Sequence, residues 1–296
     1  MQPAISLVAG IAFVMVFGNP FGSFVQKVTP LLLGYAVMGL GAGMNLVTVA
    51  RVGLYGIGYT VIGISLALLI NRALGRLFKT PSDASLLIGG GTAICAGSAI
   101  ASIAPVIHAK SHDISMALAT IFILNAVALV VFPKLGHLFG LDETQFGLWC
   151  GLAIHDTSSV VGASVQYGQH ALDVATTVKL ARALWIIPIT LIIAAVYSRK
   201  QKGEGPQRKT RKPWFILGFV IAAAIVTWIP AFHHAGLFVR GIAEHMIILA
   251  LFFIGASLDR SAFYTMGVGP LLQGFCLWIV IASMTLAAIV SGWITL

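Results

Sequence analysis

Two short stretches carry the residue types that chemistry inside an apolar chain would need. Residues 151–168, GLAIHDTSSVVGASVQYG, place His155 and Asp156 side by side and follow them with Thr157, Ser158 and Ser159. An ionisable side chain within an apolar segment costs about 2.5–3.5 kcal/mol even on the mildest scale, and it normally faces a cavity or a partner. His155 and Asp156 are therefore the candidates for taking up a coupling ion, H⁺ or Na⁺. The plainer use of Asp156 is a structural tie to a neighbouring helix. Residues 86–105, LLIGGGTAICAGSAIASIAP, hold Gly89, Gly90, Gly91 and Gly97, each disfavouring a continuous helix by about 1 kcal/mol relative to Ala. Backbone groups freed by a break are tolerated in lipid only where protein or a water-filled cavity satisfies them. A broken helix here presents N–H groups with a positive half-dipole, a natural cradle for an anion. Thr92 and Ser98 add hydroxyls, and Cys95 sits between them. Close helix packing through small residues is the competing use of the same glycines.

A third stretch, DVATTVKLARALWIIP at 173–188, supplies positive charge. Lys179 and Arg182 are three apart and so share a helix face. Either they snorkel toward an interface or they face the two odd segments, balancing Asp156 or holding an anion. Arg offers a planar fork suited to carboxylate or sulfonate-like oxygens, whereas Lys offers a point charge. The candidate substrate-binding set is thus Gly91, Thr92, Cys95, Gly97, Ser98, Thr157, Ser158, Ser159, Lys179 and Arg182, with His155 and Asp156 for coupling. Asn125, within the segment 114–132, is placed to bond one of the odd segments. Asn45 and Asp259 read as helix caps. His233, His234, Glu244 and His245 have no metal-ligand spacing, and no resident metal is expected beyond Na⁺ near Asp156. Neither a phosphate-binding loop nor a nucleophile elbow occurs. No cofactor and no enzymatic activity are expected.

The elements that must position these residues follow from composition. Of 296 residues, 58% are hydrophobic and only 9% charged, with mean hydropathy +0.97. Soluble domains carry about 25% charged residues, so the chain reads as an all-α polytopic membrane protein. The net charge of +9 is concentrated: Arg199, Lys200, Lys202, Arg208, Lys209, Arg211 and Lys212 stand in one stretch against Glu204. That run reads as a cytoplasmic loop under the positive-inside rule rather than as a nucleic-acid site. Cys95, Cys150 and Cys276 all fall in apolar segments, and no disulfide framework is expected.

A spanning helix needs about 20 mostly apolar residues. Segments near 3–18, 30–49, 52–70, 114–132, 174–197, 213–230, 241–258 and 268–293 give about eight full spans. With 84–107 and 145–167 there are ten hydrophobic segments. The start lacks a basic region before its apolar run and reads as a retained first helix, not a secretory signal. Loops 71–79 and 199–212 read as inside, and both termini as outside.

The outer triplets read as a weak inverted repeat. GLGAGMNLVTVARVG at 39–53 aligns with FIGASLDRSAFYTMG at 253–267, an offset of 214, with Asn45 on Asp259. Opposed repeats are an architecture of secondary transporters. Between the triplets lie two units, each an odd segment followed by a plain helix. Each odd segment either crosses as a broken helix or folds back as a re-entrant hairpin; only hairpins make the two units inverted copies. The expected organisation is scaffold 1–71, a moving core 72–197, the basic loop 198–212, and scaffold 213–296.

At GGGTAICAGSAIASIAP, AIHDTSSVVGA and VKLARALWIIP, in that order, and again at the terminal FFIGASLD, the chain resembles the YeiH family of bacterial inner-membrane proteins, labelled putative sulfate exporters. That family is thought to be distantly similar to bile-acid and arsenite transporters built from inverted repeats with interrupted helices. Family members usually carry one more hydrophobic helix before the segment at 3–18, so the outside placement of the N-terminus belongs to this shorter form. The resemblance implies anion transport across the inner membrane. With the repeat architecture, the expected function is a secondary transporter of sulfate, a sulfonate or a similar organic anion working by alternating access, with the outer triplets as the part that would form a homodimer. The rival classes are an anion channel, using the same tips as a filter, and an intramembrane enzyme using Cys95, His155 and Asp156.

Overall fold

The computed structural model describes residues 3–18, 22–104, 106–200, 214–257 and 267–295, and these are helical with no strand among them. Lys202, Glu204, Arg208, Lys209, Arg211 and Lys212 of the basic stretch lie outside the described residues, as does Asp259 in the second copy of the repeat.

Three helices open the chain: α1 (Pro3–Phe17), α2 (Gly22–Gly41) and α3 (Leu46–Leu77). The boundaries differ from hydropathy: the apolar run at 30–49 spans the end of α2, a turn and the start of α3. The turn is made locally, because the Asn45 side-chain oxygen accepts from Val47 N at 2.8 Å and so caps α3. Asn45 is a cap, as its sequence position implies. The middle of the chain holds α4 (Ser82–Ala93), α5 (Ala96–Ile103), α6 (Ser111–Leu138), α7 (Glu143–Ala153), α8 (Thr157–Ser164), α9 (Gln169–Ala183) and α10 (Ile186–Lys200). It closes with α11 (Trp214–Trp228), a short 3₁₀ turn at Pro230–Phe232, α12 (His233–Ser257) and α13 (Val268–Val290). Among the described residues five helical runs are long and apolar enough to cross a membrane: Gly58–Leu77, His112–Leu138, Gln169–Tyr197, His233–Phe253 and Val268–Val290. Two shorter apolar helices, Val8–Phe17 and Leu217–Trp228, accompany them.

Both odd segments fold back. Were 82–103 one straight helix, Gly91 and Ile100 would lie about 13 Å apart. Instead a side chain on Gly91 would meet Ile100, and one on Gly90 would meet Ile103, so α5 returns along α4. In the second segment, Gly147 of α7 abuts Ala171 and Val174 of α9, and Gly151 abuts Ala175 and Val178. Both sequences advance by four residues together, so α7 and α9 run parallel. The chain must therefore return to its starting side through α8. The ends confirm it: Glu143 at the start of α7 accepts from the backbone N–H of His170 (2.8 Å) and Ala171 (3.1 Å), and Tyr167 donates to Leu141 O at 2.5 Å. A Cβ on Gly147 would lie 2.8 Å from Ala171 O, so only glycine permits this approach.

The packing is reciprocal. α1 lies on α12 as α11 lies on α2; α3 lies on α4 as α13 lies on α7; α4 lies on α6 as α7 lies on α9; α5 lies on α6 as α8 lies on α9. Exchanging the two halves of the chain maps each of these pairings onto its counterpart. An aromatic group joins the second fold-back to α13: Phe132 stacks on Trp149 with centroids 4.1 Å apart, and Trp149 Nε1 donates to Ala282 O at 2.9 Å.

Candidate functional site

The fold-backs leave four half-helix ends at the centre of the molecule: the C-termini of α4 and α7 and the N-termini of α5 and α8. Carbonyls at a helix C-terminus have no intrahelical partner and carry a negative half-dipole. Lys179 and Arg182, both buried on α9, meet that need. Arg182 Nε donates to Ala93 O at 2.7 Å and Nη2 to Thr92 O at 3.0 Å, while Nη1 donates to Leu152 O. One guanidinium thus joins the tips of both fold-backs. Lys179 Nζ donates to Ile154 O at 2.6 Å. Neither residue snorkels to an interface, and each spends donors on backbone rather than on Asp156.

The two N-termini are not equivalent. At α8, Asp156 is the N-cap: its carboxylate accepts from Ser158 N at 3.0 Å and from the Ser158 hydroxyl. At α5 the N-cap is Cys95, which makes no side-chain cap bond, so this end stays open. Cys95 is buried, with the Ser98 hydroxyl beside its sulfur, and Ser98 is exposed. Ala96, the first residue of α5, sits at φ 48°, a left-handed backbone that costs strain in a residue with a Cβ. Gly91 packs where a side chain would strike Ile121, whereas at Gly97 the nearest atom to a Cβ would be Phe122 at 3.6 Å, an ordinary contact.

Asn125 of α6 is the connection that sequence placed only by position. Its side-chain oxygen accepts from Asp156 N at 3.3 Å and lies 3.3 Å from His155 Nδ1. His155, Thr92 and Asn125 are all buried, and His155 Nε2, Thr92 Oγ1 and Asn125 Nδ2 have no hydrogen-bond partner. Ser158 and Ser159 are buried in the first turn of α8, and Thr157 is half-buried. The structure therefore gathers Thr92, Lys179, Arg182, His155 and Asp156 at one crossing, with Gly91, Cys95, Gly97 and Ser98 on the first arm and Thr157, Ser158 and Ser159 on the second.

Sequence reading passed over two polar groups. Arg240 of α12 pairs with Asp173 at 2.7 Å and Glu244 at 3.2 Å, and donates to Gly43 O at 3.2 Å. Glu244 is thus an ion-pair partner. The buried Gln273 of α13 donates to Asn71 Oδ1 at 2.6 Å and Ser85 Oγ at 2.7 Å, tying α3 to α4. The available signals were an arginine one helical turn before Glu244 in α12, at the spacing of an ion pair, and a glutamine within the apolar α13. Among the described residues no cluster of three His, Cys, Asp or Glu could hold a metal ion.

Taken together, the apolar helices and the two buried fold-backs define a polytopic helical membrane protein. The chain belongs to the family described as conserved hypothetical protein 698, whose model matches residues 2–274. It is 56% identical over 294 residues to a UPF0324 membrane protein of Bdellovibrio bacteriovorus, covering 99% of this chain and 90% of that one. A UPF0324 membrane protein of Geobacter sulfurreducens is 44% identical, with 97% and 91% covered, and one of Bacteroides thetaiotaomicron is 46% identical, with 98% and 86% covered. The YeiH resemblance is consistent with this membership. No solved structure matches the chain.

Proposed function

We propose that the protein is a secondary transporter of a small anion across the bacterial inner membrane, working by alternating access. The observation that carries the reading is the charge balance at the crossing. Two buried cations stand against one carboxylate and two half-helix C-termini, while two half-helix N-termini add positive ends. With each end counted as about half a charge, the crossing keeps a surplus of about one positive charge, which a bound anion would neutralise.

In this reading the open N-terminus of α5, with Gly97 and Ser98, receives the anion beside the Thr92 hydroxyl. Lys179 and Arg182 hold the tips together and supply the positive potential rather than clamping the anion directly. Asp156, half-buried at the α8 cap beside His155, takes the coupling ion, H⁺ or Na⁺. The reciprocal packing of the two halves supports an inverted-repeat carrier, with α1–α3 and α11–α13 as scaffold and α4–α10 as the moving core. The scaffold is also the surface through which two copies would pair.

Thermal stabilisation of the detergent-purified protein across a panel of sulfate, methanesulfonate, hydrogen sulfite, acetate and chloride tests the reading, with and without Na⁺. Ligands that bind only the native state raise the melting temperature by mass action. A selective shift by one oxyanion class is the expected result. Shifts from cations or neutral solutes alone would contradict it.

A further inference from the structure

Three buried polar atoms around the second tip lack partners, Asn125 Nδ2, His155 Nε2 and Trp278 Nε1, as does Thr92 Oγ1 at the first tip. Trp278 of α13 faces His155 with ring centroids 6.2 Å apart, and both side chains are buried, at 3% and 1% exposure. Buried polar groups in native proteins are nearly always hydrogen-bonded, so a group of orphans in one place marks something that binds there.

The hydrogen-bond partners fix the protonation of this cluster. The backbone N–H of Asp156 can only donate, so the Asn125 atom facing it must be the carbonyl oxygen, as placed. The same oxygen faces His155 Nδ1, which must then carry the ring proton. In the neutral ring Nε2 is consequently an acceptor. Asn125 Nδ2 and Trp278 Nε1 are donors without choice. The cluster therefore offers two fixed donors and one fixed acceptor. A fully deprotonated oxyanion satisfies the donors and leaves His155 facing a lone pair. An oxyanion that still bears one hydrogen satisfies all three.

We infer that this cluster selects the monoprotonated oxyanion of a weak acid: its O–H donates to His155 Nε2, and its other oxygens accept from Asn125 Nδ2 and Trp278 Nε1. The inference rests on the anion-transport reading and specifies its substrate class. The cluster lies close to the start of α5, because Cys95 at that end is within electrostatic reach of Asp156 and Lys179, and Gly97 faces Phe122, three residues before Asn125 on α6. The groups around His155 are its neighbour Asp156, Lys179 and Arg182 of α9, Asn125 of α6 and Trp278 of α13. None of them replaces the acceptor at Nε2.

The test compares binding of hydrogen sulfite and hydrogencarbonate with that of sulfate and methanesulfonate, by thermal shift of the purified full chain. Two pH values are used, one where sulfite is largely monoprotonated and one where it is not. The wild type is expected to prefer hydrogen sulfite and to lose that preference at the higher pH. Trp278→Phe keeps the ring and removes one donor, so affinity for hydrogen sulfite should fall about tenfold with sulfate affected no more. His155→Leu should abolish the preference, and His155→Gln, whose side-chain oxygen can accept, should restore part of it. Equal binding of sulfate and hydrogen sulfite by the wild type would overturn the inference while leaving the transporter reading intact. So would variants that change stability without changing the preference, which would mark the orphans as sites for structural water. No shift from any anion would overturn both.

Discussion

Arg182 is the residue on which most of the centre depends. It is buried, and its three donor nitrogens answer carbonyls from two different fold-backs. Arg182→Leu strands those carbonyls, a loss of the order of 3–5 kcal/mol for breaking a buried charged contact. We expect a melting temperature well below wild type in detergent, partly recovered by Arg182→Lys, which keeps the charge without the fork. Asp156 separates two roles that its position combines. Asp156→Ala removes the α8 cap and should cost about 1 kcal/mol. Asp156→Asn keeps a capping oxygen and should leave stability near wild type, yet abolish gradient-driven uptake if the carboxylate takes the coupling ion. Stability and uptake measured on the same two variants give this split; gradient-driven uptake that persists in Asp156→Asn would remove the coupling role. The chemistry of these positions was legible in sequence because ionisable residues are so rare in an apolar chain. Their partners were not. Nothing in a linear pattern tells that a lysine and an arginine three apart will bind carbonyls at Ile154, Leu152, Thr92 and Ala93.

At the scale of elements, the two fold-backs rest on small residues where helices meet. Gly151 of α7 lies where a Cβ would come within 2.8 Å of Val178. Gly151→Leu should therefore push α7 off α9 and lower the yield of folded protein, read by size-exclusion chromatography in detergent. Gly97→Ala meets only ordinary contact at 3.6 Å, so it should fold like wild type, and its effect should fall on anion binding at the open end of α5. The first broken segment stood out in sequence through its clustered glycines and the second through His155 and Asp156, and their return was favoured by symmetry between the two units. Yet Gly89, Gly90 and Gly91 lie within α4 as close-packing positions, and the break falls after them at Ile94–Cys95. Boundaries were less legible. The apolar run at 30–49 continues smoothly through the Asn45 cap, and hydropathy does not register a turn whose residues are themselves apolar. The segment 174–197 likewise reads as one helix, but the chain forms α9 and α10 with a turn at Leu184–Trp185, before Pro188.

At the scale of the whole molecule, Arg240 joins what the proposed mechanism must separate. It lies on α12 and holds both the turn after α2, at Gly43 O, and Asp173 near the start of α9. If α4–α10 move against the outer helices, the Arg240–Asp173 pair must break in each cycle. Asp173→Asn weakens that pair without removing the Arg240–Glu244 contact. It should raise the exchange rate by about threefold to tenfold while lowering stability by about 1–3 kcal/mol, measured as substrate exchange and melting temperature. An unchanged exchange rate would place the moving boundary elsewhere. The overall plan was visible in the order of segments and in the weak repeat, whereas this tie was not, because Arg240 and Asp173 stand 67 positions apart on helices assigned to different units.

The central claim is that a small anion is carried through the crossing of the two fold-backs. Counterflow in proteoliposomes tests it most directly: vesicles loaded with unlabelled sulfite are diluted into trace radiolabelled sulfite, and uptake is compared between wild type and Gly97→Ala. Transient accumulation of label driven by the internal anion is expected in wild type, strongly reduced in Gly97→Ala at equal protein insertion. No accumulation is expected without internal substrate. Label entry that ignores the internal anion would indicate a channel, and no entry above protein-free vesicles for sulfite or any anion of the binding panel would contradict the account.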